Sequence, residues 1–326
     1  MTLTPAIRGR NPFETDGVWL RAALHTHTTE SDGQLEPRFL VEEYRDAGFD
    51  VVAVTDHWRV TRVPSTDRLL TIPAAELTYD IAPGRVGEFL AYGIHDLPDD
   101  PGGMRENWIV NEEEHWEQRT FPDFTAANRW AGGQGAVTYA AHPYWSGLDI
   151  DVFRRAEGFA GLEVFNGTSD VEDGRGDSSP WWDALLGDGR LVFGIAVDDQ
   201  HAPLFDLGLA WTMVRAAART EAAVLEALRT GAAYASSGPA ILDAHLDGDS
   251  VEVACSPCRA VVVGMREERG ASVVAGDRGR RMGAIVQSDP DGLITRARVE
   301  SQEPDPGYLR VSVIDAAGRK AWTNPL

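Results

Sequence analysis

The sequence predicts an α/β chain in which a closed or nearly closed barrel precedes a small all-β sandwich. Three observations lead there. Over residues 18–237, apolar strand-like runs alternate with amphipathic segments at helical spacing, the mark of βα units around a mainly parallel sheet. About seven such units suit a closed barrel better than an open sheet. After Ser236-Ser237-Gly238-Pro239 the helical pattern stops, and short strands separated by Gly, Asp and Pro turns take over.

The expected barrel strands are 20–24, 51–55, 70–74, 89–94, 136–140, 161–165 and 192–197, with a further run at 209–214. Val51-Val52-Ala53-Val54 shows why: it is β-branched and apolar on both faces, as a strand covered by helices must be. Residues 36–47, with Phe39, Leu40, Val41 and Tyr44, read as an amphipathic helix, and 124–131 and 181–186 read likewise. Residues 220–230 place Ala223, Val224, Ala227 and Leu228 on one face and form the helix that closes this region. Strands follow at 241–246, 251–254, 260–263, 296–299 and 309–314. The expected division is a barrel over 1–237 and a β-sandwich over 238–326. Within the barrel, 96–121 is long for a βα connection and reads as a lid at the mouth, with Trp108 and Trp116 favouring an ordered one.

Composition narrows the function. The formal net charge is -21, from 51 acidic and 30 basic side chains. Such a surface repels polyanions, which disfavours a nucleic-acid polymer as the partner and leaves a small-molecule substrate. No apolar run approaches a membrane span, and the first 17 residues lack a signal-peptide pattern, so the cytoplasm is the expected location. The oligomeric state is not legible. Cys255 and Cys258 form a lone Cys-Ser-Pro-Cys, too few for a zinc ribbon, and read as a hairpin-turn feature able to form a reversible disulfide.

His25-Thr26-His27 carries the most chemistry. Two imidazoles at i and i+2 on an extended segment face one side, which suits a divalent metal. Asp32 follows at the turn, and Asp56-His57 ends the next strand. Glu76 follows the third expected strand, His142 the fifth, and Asp199 with His201 the seventh. Five of the eight histidines thus fall on one rim with carboxylates interleaved. Polar clusters at the ends of buried strands cost desolvation unless something binds them. Asp56 reads as a residue that orients a ligand histidine rather than as a ligand.

These motifs resemble the PHP (polymerase and histidinol phosphatase) superfamily of metallohydrolases. His25-Thr26-His27 with Ser31-Asp32-Gly33, Thr55-Asp56-His57, Glu76, Ala141-His142-Pro143 and Asp199-Gln200-His201 match its motifs in order over about residues 20 to 205. The resemblance implies a distorted (β/α)7 barrel with two or three divalent ions, Mn, Fe or Zn. It implies a first metal on His25, His27, Glu76 and Asp199, a second on Glu76 and His142, and a third on Asp32, His57 and His201. A family histidine at the second metal has no direct match; Glu88 stands in its place and His95 follows the same strand, with Glu88 favoured. A Glu there would favour Mn or Fe over Zn. The stretches 161–167, 234–239 and 321–325 resemble the branch that includes a carbaryl hydrolase.

The resemblance implies a metal-dependent hydrolase, of class EC 3.1, acting on a small phosphate mono- or diester through a water that bridges the metals. Asp199 would help fix the metal spacing, and His57 or His201 would protonate the leaving group. Arg59 and Arg62 either grip a phosphate or balance acid at the surface, and Glu163 and Asn166 either face the pocket or form a hydrogen-bond network at the strand end. The alternatives are hydrolysis of a carboxylic or carbamate ester, and a non-catalytic scaffold that keeps metals for stability.

Overall fold

The computed structural model describes residues 3–98, 104–105, 118–267, 270–276, 283–300 and 305–326. Most of the expected lid segment, with Trp108 and Trp116, lies outside them.

Seven strands form the barrel wall. They are β1 (Val18–Ala23), β2 (Val51–Val54), β3 (Leu70–Ala82), β4 (Arg85–Tyr92), β7 (Val137–Ala140), β8 (Gly161–Asn166) and β9 (Phe193–Val197). Between β4 and β7, β5 (Met104–Arg105) pairs with β6 (Gln118–Arg119) in a small separate sheet. Neighbouring wall strands pair in parallel, except β4, which runs antiparallel to both β3 and β7. Closure is irregular. The segment beyond β1 meets the segment beyond β9: His27 N donates to Gln200 O at 2.8 Å and Asp199 N to His25 O at 3.1 Å. Lower down, the Thr212 hydroxyl donates to Ala196 O and accepts from Ala196 N, taking the part of a missing strand partner.

The barrel interior is filled by Ala22, Val51, Ala53, Ile72, Leu90, Tyr92, Tyr139, Ile195 and Val197. Helices cover the outside: α1 (Pro37–Asp46), α2 (Phe124–Gly133), α3 (Ile150–Arg155), α4 (Gly167–Asp173), α5 (Ser179–Gly187) and α6 (Pro203–Asp206). In α1, Pro37 stands in the first turn, where its missing N–H costs nothing, and Leu40, Val41 and Tyr44 are buried while Phe39 is not. Then come β10 (Trp211–Ala216) and α7 (Glu221–Thr230), the latter capped by Thr220 and ended by Gly231 in the left-handed region. Among the described residues no helix is long and apolar enough to cross a membrane.

The remaining strands are β11 (Ala233–Ser236), β12 (Ile241–Asp247), β13 (Ser250–Cys258), β14 (Ala260–Met265), β15 (Ala271–Val274), β16 (Gly283–Ser288), β17 (Ile294–Glu300), β18 (Leu309–Ile314) and β19 (Lys320–Thr323). An antiparallel sheet in the order β12-β13-β17-β16 faces β14, β15 and β18, with Val253, Val261, Val263, Val299, Val311 and Val313 between them. The fold class is therefore the expected one, a distorted barrel and a sandwich-like all-β layer pair. One layer of that pair nevertheless continues the barrel sheet, because β19 pairs with β11 and β11 with β10.

Cys255 and Cys258 correct the expectation of a hairpin turn. Both lie on β13, where the ladder slips register between Ala254 and Cys258, and the chain then crosses to the other sheet at Arg259. Both are free thiols buried in the sandwich core.

Candidate metal centre

Parallel strands carry the residues at their carboxyl ends to one rim, the barrel mouth. His25 and His27 come after β1, Asp56 and His57 after β2, His142 after β7, and Asp199 and His201 after β9. Glu76 differs from the expectation in lying within β3, which runs on to Ala82 and rises above the mouth with β4. Because β4 runs the other way, Glu88 stands at its mouth-side part, opposite Thr78. His95, beyond the far end of β4, is carried away from the mouth. It is half-exposed, with Nε2 3.9 Å from Glu221 of α7, so the structure does not bring it to the cluster.

Three groups of donor atoms converge, each with its atoms within 4.8 Å of one another: His25, His27, Glu76 and Asp199; Glu76, Glu88 and His142; and His27, Asp32, His57 and His201. Glu76 belongs to two groups, and so does His27. In the first, His25 Nε2 lies 3.0 Å from both His27 Nε2 and Glu76 Oε2. In the second, His142 Nε2 lies 3.2 Å from Glu76 Oε1 and 3.8 Å from Glu88 Oε2. In the third, Asp32 reaches His57 Nε2 at 3.4 Å and His201 Nε2 at 3.5 Å. The first group is buried, with only the Asp199 side chain reaching the surface, whereas the His57 and His201 side chains are 28% and 32% exposed.

The hydrogen-bond partners fix the direction of the lone pairs. Glu163 Oε1 accepts from His25 Nδ1 at 2.6 Å, so neutral His25 aims an unprotonated Nε2 into the cluster. Ser146 Oγ meets His142 Nδ1 at 2.9 Å, and the Asp199 carbonyl accepts from His201 Nδ1 at 3.0 Å. Asp56 accepts from Thr28 N, Thr28 Oγ1 and Ser31 Oγ, and Ser31 Oγ in turn stands 3.3 Å from His27 Nδ1. Asp56 therefore acts on His27 through Ser31. Gly33 permits the fold-back of this loop, since a Cβ there would sit 2.2 Å from the His27 carbonyl oxygen.

Glu163 and Asn166 form the hydrogen-bond network at the strand end that holds the cluster together. Glu163 Oε2 accepts from His142 N at 2.7 Å and Asn166 Nδ2 at 2.9 Å, and Asn166 Nδ2 also donates to Asp199 Oδ2 at 3.0 Å. His142 and Asp199 both have left-handed backbones, at φ 25° and 60°. Such strain persists where surrounding bonds over-determine it, and these bonds do so. Arg62 donates to the His95 carbonyl, away from the cluster, and Arg59 is paired with Glu30. Neither is placed on a donor group.

Electrostatics show what the cluster asks for. Burial opposes charge on His25, yet Asp199, Glu76 and Glu163 outweigh it and hold the imidazole well above its ordinary range. Against the same opposing burial, Glu76 and Asp32 bring His57 up to about 10, Glu76 brings His142 to about 9, and Asp32 and Asp199 bring His201 to about 9. Burial works against ionisation of Asp199 and Glu76, but the surrounding imidazoles hold both below the usual carboxylate range. Burial and the nearby Glu76 push Glu88 up. The site is thus short of positive charge. Asp199 Oδ1 makes the point atom by atom: it is buried without a hydrogen-bond partner, 3.1 Å from His25 Nε2, which carries no proton in the neutral ring that donates through Nδ1 to Glu163. A buried acceptor facing imidazole lone pairs is satisfied by a cation, and the mixed N and O donors suit a divalent metal.

Several contributors were not foreseen from the sequence. Ser31 and Ser146 brace ligand histidines, and Asp206 accepts from His201 N and Ala202 N. Asp198, pushed up to about 6 by burial despite donors at Ala210, Gly208 and Tyr44, pins the turn after β9. Its position beside Asp199 at the end of a buried strand was the available signal.

No protein-family model matches the chain, and no curated protein matches it. Solved structures do. A two-domain protein from Bacteroides vulgatus, described as containing a predicted PHP-like metal-dependent phosphoesterase, aligns over 100% of this chain and 99% of its own, at 17% identity and a TM-score of 0.51. An amidohydrolase from Chromobacterium violaceum aligns over 57% of this chain and 89% of its own, at 15% identity and TM-score 0.40. A lesion-specific endonuclease from Pyrococcus furiosus aligns over 65% and 56%, at 13% identity and TM-score 0.47. The last two scores are too low to bear on this chain, and none of the three bears on the carbaryl-hydrolase branch. The first covers barrel and C-terminal strands alike, so the chain shares that protein's fold.

Proposed function

We propose that this chain is a metal-dependent hydrolase that cleaves a phosphate mono- or diester of a small molecule. The observation that carries the reading is the set of three donor groups sharing Glu76 and His27, with Asp199 Oδ1 left to a cation. His25, His27, Glu76 and Asp199 would hold one divalent ion, Glu76, Glu88 and His142 a second, and His27, Asp32, His57 and His201 a third. The carboxylates in each group favour Mn or Fe over Zn. Bound there, such ions supply Lewis-acid activation of a water and of the ester.

The chain's own residues do the rest. Glu163 and Asn166 orient His25 and Asp199, and Asp56 orients His27 through Ser31. The group of His57 and His201 is the most open, which is where a substrate enters and where either imidazole, when free of metal, hands a proton to the leaving group.

A second reading, hydrolysis of a carboxylic or carbamate ester, has its own support. The arginines of the mouth loops are engaged: Arg59 by Glu30, Arg85 by the Gly147 carbonyl at 2.6 Å, and Arg175 by Asp173 at 3.7 Å. A phosphate would have to draw one of them away. The test is turnover of bis(p-nitrophenyl) phosphate, p-nitrophenyl phosphate and 1-naphthyl acetate by protein reconstituted with Mn. Activity on the phosphates supports the first reading, and activity on the acetate alone replaces it with the second. Protein that takes up no metal refutes both.

A further inference from the structure

A cleft of about 730 Å³ opens at the end of the barrel away from the metal centre. Its walls include the starts of three strands, at Val137 of β7, Ala160 before β8 and Phe193 of β9, whereas His142 and Asp199 follow the other ends of β7 and β9. Phe193 precedes Asp199 by six positions, roughly 20 Å along a strand, so a molecule bound here is remote from the metal ligands. The N-terminal segment supplies a further wall. Gly9 N donates to Pro325 O and Arg10 N to Thr230 O, both at 2.8 Å, which ties the segment to the barrel end. Gly9 lies so close to the floor that a Cβ there would meet Phe193 Cε1 at 2.8 Å. Arg8 and Arg10 are thereby held at the cleft they share with Arg229 of α7.

The lining reverses the sign of the chain as a whole, whose formal net charge is -21. Three arginines line the cleft, and among the described residues no Asp or Glu does. Arg229 is anchored, by Glu226 at 3.0 Å and the Gly135 carbonyl at 2.9 Å. Arg10 uses Nε alone, on Thr15 Oγ1 at 3.3 Å, and Arg8 has no partner among the described residues. The polar groups of the floor satisfy one another: Thr138 Oγ1 donates to Asn128 Oδ1, and Asn128 Nδ2 donates to the Glu157 carbonyl. Guanidinium N–H groups are therefore left over beside an apolar floor of Val137, Phe159, Leu191 and Phe193. Such forks match the paired oxygens of an oxyanion. We propose that this cleft is a second binding site, for a small organic anion whose oxyanion head meets Arg8 and Arg10 and whose apolar body rests on Phe159, Leu191 and Phe193. Its size agrees, since clefts for small molecules run from about 300 to 1,000 Å³. The site does not depend on the hydrolase reading.

Isothermal titration of the full chain reconstituted with Mn tests it, with naphthalene-2-sulfonate as the anion and naphthalene-2-sulfonamide as the same body without the charge. The sulfonate should bind about tenfold more tightly, and its advantage should shrink as NaCl is raised. The double variant Arg8→Glu with Arg10→Glu should weaken the sulfonate by about tenfold or more, while Arg8→Lys with Arg10→Lys keeps most of the affinity. Bound Mn should match the wild type in both, which separates this cleft from the metal centre. Both arginines are exposed, so these variants should fold. If the glutamate pair does not, Leu191→Glu, at a side chain that is 44% exposed, puts the wrong charge in the cleft and should produce the same loss. Absence of sulfonate binding, equal binding of the two probes, or an affinity unchanged in the charge-reversing variants overturns the site. Sedimentation of the same samples checks the other occupant: a wild type that self-associates beside a monomeric glutamate variant would replace the small anion with a second copy of the chain.

Discussion

Glu163 Oε1 accepts a 2.6 Å hydrogen bond from His25 Nδ1, and neither side chain has any exposed surface. A carboxylate behind a histidine fixes its tautomer and raises its basicity toward a cation on the far nitrogen. Glu163→Ala should therefore weaken Mn binding by about 10- to 100-fold. Titration of metal-free protein with Mn checks this, and wild-type affinity would show that His25 needs no such brace.

Shared donors make a prediction about stoichiometry. His27 contributes to two donor groups and His142 to one. His27→Ala should lower the bound metal by more than one equivalent, and His142→Ala by no more than one. Elemental analysis after Mn reconstitution decides. His27→Ala should also abolish turnover while the all-β layers stay folded; undiminished activity would refute the site.

The C-terminal segment should stabilise the barrel. Asn324 Oδ1 accepts from Gly194 N of β9 at 2.7 Å, and its Nδ2 donates to the carbonyls of Gly231 and Ala233. Asn324 is buried, so Asn324→Ala leaves these groups unsatisfied at a cost of about 1–3 kcal/mol. Urea unfolding of the variant measures that cost. A change near zero would mean that water replaces the amide.

One ion pair supplies a pH signature. Lys320, the only lysine in the sequence, donates to Asp177 Oδ2 at 2.7 Å and ties β19 to the loop before α5. Burial works to raise the Asp177 carboxyl, but bonds from Lys320 and Ser179 outweigh it and hold the pKa below the usual 3.8. A depressed carboxylate adds stability above its unfolded pKa and loses it as pH falls through the folded value. Asp177→Asn should therefore melt below the wild type at pH 7, and the gap should shrink toward pH 3. A gap that is the same at both would assign the difference to packing.

The motif residues were legible because their chemistry does not depend on how the chain is packed. A His or Asp after an apolar β-branched run lies at a strand end, and strands covered by helices run parallel, so His25, His27, His57, His142, Asp199 and His201 belong on one rim. His95 shows the limit. Its strand was visible, but the direction of β4 was not, because an apolar run reads the same for either direction. That direction is what brings Glu88, the favoured residue, to the mouth and carries His95 away from it. Arg59 and Arg62 show another limit: their positions after His57 were readable, and their partners Glu30 and the His95 carbonyl were not.

The sequence by itself determined the alternation of strands and helices, the change of character after residue 237, and the inventory of histidines and carboxylates at strand ends. These are local, set by periodicity and by residue type. Tertiary structure decided that His27 and Glu76 each serve two donor groups, that Glu163 meets His25, and that β19 returns to extend the barrel sheet. Each depends on residues far apart in the chain meeting at a few ångströms, as His25 and Glu163 do across 138 positions. Long-range register and side-chain direction are settled only when the barrel closes, at Thr26 against Gln200.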